Sequence, residues 1–92
     1  MPTYVYFVFY KLKELTQDEE ERARNEWGKI TEEWPPEVRL IGVYDHAWGT
    51  EYNGVMVLES ESMDSFTRFW KWFRDKVRWY VPETKTVIAT KR

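Results

Sequence analysis

Residues 4–10, YVYFVFY, carry an apolar or aromatic side chain at every position. Val5, Phe7 and Phe9 share one parity; Tyr4, Tyr6, Val8 and Tyr10 share the other. A strand with one face in water alternates apolar and polar residues. A strand over about 3–12 therefore has two faces to cover. The pattern then changes period. Ala23, Trp27, Ile30 and Trp34 follow at spacings of four, three and four, a helical stripe opposite a charged face. Thr16 with Glu19 three residues on forms a capping box, and Asp18 to Glu21 place negative charge where the helix dipole favours it. Pro35 and Pro36 end this helix, predicted over about 17–33.

Period two returns in EVRLIGVYDHAW, where Val38, Leu40, Gly42, Tyr44, His46 and Trp48 share one parity. The returning strand is YNGVMVLES, with Tyr52, Gly54, Met56 and Leu58 on one side. Asn53-Gly54 is a favoured hairpin turn, but turning there pairs a very long strand with a very short one, so the turn is placed near Gly49. Ser62 is the expected N-cap of a second helix. Its stripe of Phe66, Phe69, Trp70, Phe73 and Val77 is buried, with Trp72 and Trp79 roughly on the far side as a candidate second contact surface. Pro82 punctuates, and TKTVIATK is the last strand. The order βαββαβ, with right-handed crossovers, predicts one α+β domain over 1–92: a ferredoxin-like four-stranded antiparallel sheet with both helices on one face.

Two helices cover one face only. The remaining face would leave an apolar patch of several hundred Å2, which on a soluble chain marks an interaction surface. A second copy packing sheet to sheet is the expected partner, with the tyrosine side of the first strand at that interface. Composition points the same way, because 92 residues make a modest core yet hold six Trp, six Tyr and five Phe.

Charge and chemistry narrow the function classes. Fourteen basic against sixteen acidic residues give a net charge of −2, against nucleic-acid binding. There is no Cys and a single His, so thiolate and multi-histidine metal sites within one chain are excluded. No apolar run reaches membrane-span length, the start lacks the features of a signal peptide, and a cytoplasmic location is expected. Four scattered Gly form no phosphate-cradling loop, and no cofactor is expected. The acidic run 18–21 is read as a solvated first turn.

With its aromatic first strand and apolar open sheet face, the whole chain resembles the dimeric α+β barrel superfamily. The segment LIGVYDHAWGTEYNGVMVLESESMDSFTRF is similar to its small uncharacterised members, which have a strand ending near His, a Gly in the next strand and an acidic strand end. The resemblance implies two subunits closing an eight-stranded core, with pockets between sheet and helices. It also implies chemistries such as cofactor-independent monooxygenases, polyketide cyclases, muconolactone isomerases and haem-degrading enzymes. Asn25, Trp27 and His46 supply the residue types used by the haem-degrading group, without its spacing.

His46 is the candidate general base, since its ordinary pKa lies near neutrality. Tyr44 is its candidate catalytic partner, orienting an aromatic or enolic substrate. Tyr6, Trp48 and Met56 are the candidate ligand-binding positions; Tyr4 and Tyr10 suit a pocket wall or an interface equally. Asp45 points to the opposite face from His46 on a strand, so no dyad is expected. The expected function is a homodimeric pocket protein for a small apolar or aromatic ligand. The alternative is a non-catalytic structural or ligand-sensing dimer. An RNA-recognition reading fails on YNGVMVLE, which lacks the basic residue and alternating aromatics that fold needs in its third strand. Acylphosphatase, of the same topology, needs a Gly-rich anion loop with a catalytic Arg, which is absent.

Overall fold

A computed structural model describes residues 2–92. Strand β1 (Tyr4–Lys11) leads to helix α1 (Gln17–Glu32), strands β2 (Val38–Asp45) and β3 (Gly54–Ser60), helix α2 (Met63–Val77) and strand β4 (Glu83–Thr90). The strands form one sheet in the order β2-β3-β1-β4, with every neighbouring pair antiparallel. This is the ferredoxin-like topology expected from the order of elements.

Local chemistry sets the helix ends where the sequence places them. At α1 the Thr16 hydroxyl accepts from the Glu19 amide at 3.2 Å, while the Glu19 carboxylate accepts from the Thr16 amide at 3.1 Å. These reciprocal bonds satisfy two otherwise orphaned donors, and bonds to Thr16 and Lys13 hold the Glu19 carboxyl below its ordinary pKa. At α2 the Ser62 hydroxyl accepts from the Ser65 amide. The β2–β3 connection contains Gly49 with φ of 84°, a left-handed conformation that glycine adopts without strain. Asn53 anchors that loop to the end of β1: its amide donates to Tyr10 and its side-chain oxygen accepts from the Leu12 amide at 2.7 Å.

The two faces of the sheet are the reverse of the expected assignment. Tyr6 and Tyr10 lie beneath the helices with Val8, Met56 and Leu58, whereas Val5, Phe7, Phe9, Val55, Val57 and Val87 occupy the uncovered face. The reason lies in the hydroxyls. Tyr6 and Ser60 are fully buried with their oxygens 2.9 Å apart, and Ser60 donates its one proton to the Ser62 carbonyl at 2.8 Å. Tyr6 is therefore the donor in its pair. A three-residue chain thus links β1, β3 and the cap of α2, and the Tyr6 ring stacks on Phe66 with centroids 3.8 Å apart. Tyrosine goes inside here because its polar end has a partner there.

Above the sheet, Trp27 and Trp34 of the α1 side meet Phe69 and Phe73 of α2 at centroid separations of 4.8 to 5.9 Å. Trp72 and Trp79 are partly buried at the margin of the core. Trp72 lies against Phe69, and Trp79 is covered by the Arg22 guanidinium 4.2 Å from its ring.

The Tyr6 chain makes an asymmetric prediction. Ser60→Ala leaves the Tyr6 hydroxyl buried without an acceptor, whereas Tyr6→Phe leaves Ser60 still bonded to Ser62. Urea unfolding is expected to show a loss of about 2–3 kcal/mol for Ser60→Ala against about 1 kcal/mol for Tyr6→Phe. Equal losses would contradict the donor assignment.

Candidate functional site

A cleft of about 820 Å3 opens between α1, the C-terminal half of β1 and the segment that follows α2. Its walls are mainly apolar: Val8, Leu15, Ala23, Trp27, Val43, Met56, Phe73, Val77 and Val81 all line it. Such a volume falls within the range of small-molecule pockets. The polar residues of its lining are Tyr10 and Tyr80, which are buried, Thr84, which is half-buried, and Asp45, Lys13, Glu14, Glu20 and Arg24, which are exposed.

Tyr10 and Asp45 form the one short hydrogen bond in this set, with the phenol donating to Oδ1 at 2.6 Å. They stand on different strands with β3 between them, for both pair with Gly54 in the sheet. Neighbouring strands lie about 4.8 Å apart, so the two Cα atoms are separated by about 10 Å. Their side chains meet only because Gly54 has none. A Cβ at that position would run into the Tyr10 hydroxyl and the Tyr44 carbonyl. Burial, the hydrogen bond to Asp45 and its negative charge together push the Tyr10 pKa far above its ordinary value. Tyr10 consequently stays protonated and stays a donor. Burial also raises Tyr80, with a smaller contribution from Glu26.

The expected site residues are not brought together. Tyr6 and Met56 are core residues, 0% and 4% exposed, and of the two only Met56 also reaches the cleft. Trp48 is 93% exposed in the β2–β3 loop. His46 follows the end of β2 with φ of 59° and is exposed, and it is not among the residues lining the cleft. Tyr44 lies on the uncovered face, where its ring folds back over Gly42. Leu40 and Tyr44, expected on one face, are on opposite ones because the register shifts between Leu40 and Gly42. That bulge inserts a residue at Ile41, reverses the parity of all that follows, and puts Val43 and Asp45 over the helix side.

Asp45 and Tyr80 were not among the expected ligand positions. One signal did exist. Glycine inside a strand marks close approach by a neighbouring group, and Gly54 is such a residue once the turn is placed at Gly49.

The sequence matches no family profile, and no curated protein aligns with it. Solved structures are similar in fold. A crystal structure of a DABB family protein with a ferredoxin-like fold from Mesorhizobium loti superposes with a TM-score of 0.69 at 13% identity, over 100% of this chain and 99% of that one. A putative chlorite dismutase gives 0.77 at 13% identity over 98% of this chain, which spans only 42% of that protein. A dimeric ferredoxin-like protein of unknown function from Thermobifida fusca gives 0.64 at 12% identity, covering 98% of this chain and 92% of its own. The chain therefore has the ferredoxin-like fold. Among the described residues no helix is long and apolar enough to cross a membrane.

Two measurements check the geometry of the site. Gly54→Ala is expected to destabilise the fold by about 2 kcal/mol or more, because one of the atoms it meets is backbone and cannot yield; urea unfolding reads this directly. The raised Tyr10 pKa means that the folded state holds that proton more tightly than the unfolded chain, where tyrosine titrates near 10. Its contribution is therefore complete below about pH 10 and is lost as the pH rises further. Stability should fall more steeply with rising pH above about pH 10 in the wild type than in Tyr10→Phe, and a parallel decline would contradict it.

Proposed function

We propose that this protein is a homodimer that binds a small apolar or aromatic molecule in the cleft between α1 and the sheet. The observation that carries this reading is the cleft itself: an apolar chamber with one oriented polar pair, Tyr10 and Asp45, at its sheet wall. Pockets that recognise small molecules combine these features, apolar area for affinity and a few placed polar groups for orientation. The binding reading does not use His46 or Tyr44, which stand outside the cleft lining.

The dimer rests on the uncovered face. Val5, Phe7, Phe9, Val55, Val57 and Val87 form a continuous apolar surface there, with Tyr44 and Ile41 about half exposed at its β2 edge. Charges frame it. Arg39 pairs with Glu59 and Glu61 at one end, and Lys11 pairs with Glu83 at the other. A flat apolar centre with a polar rim is the anatomy of a protein interface, and a second copy of the same sheet matches it in shape and size. The Thermobifida fusca protein of the same fold, described as dimeric, supports this reading.

Sedimentation equilibrium is expected to give twice the chain mass, and Val57→Arg, a change at the centre of the face, to give a folded monomer. For the cleft, the neutral dye Nile red is expected to bind one molecule per chain. Ala23→Trp, which fills the chamber from α1, should abolish that binding while leaving the circular dichroism spectrum intact. Dye binding that survives Ala23→Trp would place the ligand elsewhere.

A further inference from the structure

The charged side chains of the cleft lining carry a small acidic excess. Among the side chains lining it, three are acidic (Glu14, Glu20 and Asp45) and two are basic (Lys13 and Arg24). Lys13 is already engaged by Glu19, a residue outside the lining, at 3.3 Å. Asp45 has no such neutralisation, for none of the ion pairs among the described residues involves it. Its single side-chain partner is the Tyr10 hydroxyl. A carboxylate offers about four acceptor positions, so most of the accepting capacity of Asp45, an exposed residue of the cleft lining, is not used within the protein. Tyr10, spent as a donor to Asp45, has no second proton to give to an anionic ligand. Trp27, Phe73, Tyr10 and Tyr80 line the same chamber, and the face of an aromatic ring attracts a cation.

We propose that Asp45 anchors the protonated amine of an aromatic or apolar amine, with Tyr10 holding the carboxylate in place and the ring of the ligand lying among the cleft aromatics. This rests on the reading of the cleft as a binding site and names the ligand class that site takes. A carboxylate-bearing ligand of the same shape would meet Asp45 as a like charge. A neutral alcohol would donate one uncharged hydrogen bond and no more.

The test uses the wild-type protein with Nile red in the cleft and three displacers of matched size: naphthylethylamine, naphthylethanol and naphthylacetate. Charge-assisted hydrogen bonds are about twice as strong as neutral ones, so the amine is expected to displace the dye at about tenfold lower concentration than the alcohol, with the acid weakest. In Asp45→Asn the advantage of the amine over the alcohol should fall to within about twofold, because the asparagine oxygen accepts without the charge. The wild-type series reports on the proposal even if that variant unfolds. Displacement by the acid as readily as by the amine, with the dye still bound in the cleft, overturns the amine assignment and leaves the pocket standing. Failure of Nile red to bind at all removes both.

Discussion

Much of this structure hangs on where the hydroxyl groups of β1 find their partners. A tyrosine beneath a helix layer brings large apolar area together with an oxygen that cannot be left alone in a dry interior. Tyr6 meets Ser60, which passes its own proton to the Ser62 carbonyl at the cap of α2. The pairing ties the first strand, its central neighbour and the start of the second helix into one unit. Slippage of β1 against β3 by a residue would move Tyr6 to the wet face and leave Ser60 buried without that contact. Helix position, strand register and the choice of covered face are therefore one decision.

The same logic, carried four residues further along β1, builds the cleft. Tyr10 lies under α1 where the helix no longer closes tightly on the sheet, and its hydroxyl has no serine opposite. It reaches instead across Gly54 to Asp45 on the far strand. The glycine that permits this reach also removes the side chain that would have filled the space. One polar pair, one missing Cβ and an apolar helix face are sufficient to make a chamber with an oriented corner. The uncovered sheet face, by contrast, has no polar group at its centre and suits a partner rather than a ligand.

The bulge at Ile41 connects these two surfaces. It turns Tyr44 outward onto the open face and Asp45 inward to the cleft, so consecutive residues serve different surfaces. Had β2 run in strict alternation from Leu40, Tyr44 would have stood inside and Asp45 outside. His46 and Tyr44 stand outside the cleft lining for this geometric reason: one is in the loop beyond the strand, the other on the sheet face away from the cleft.

The order of elements, both helix caps, the two buried helix stripes and the loop around Gly49 were legible in the sequence, because each depends on neighbours a few residues apart. Thr16 with Glu19, and Phe66 with Phe69 and Phe73, meet through helical geometry that any reader of period can anticipate. That the first strand had two apolar faces was legible as well. Which face the helices cover was not, since the deciding bond joins Tyr6 to Ser60 across 54 residues. The site was hidden for the same reason. Asp45 and Tyr10 are 35 residues apart, and the inserted residue at Ile41 that turns Asp45 inward leaves no mark on a pattern of apolar and polar positions. Local periodicity records what a residue's own element requires; tertiary contact alone decides which distant groups complete one another.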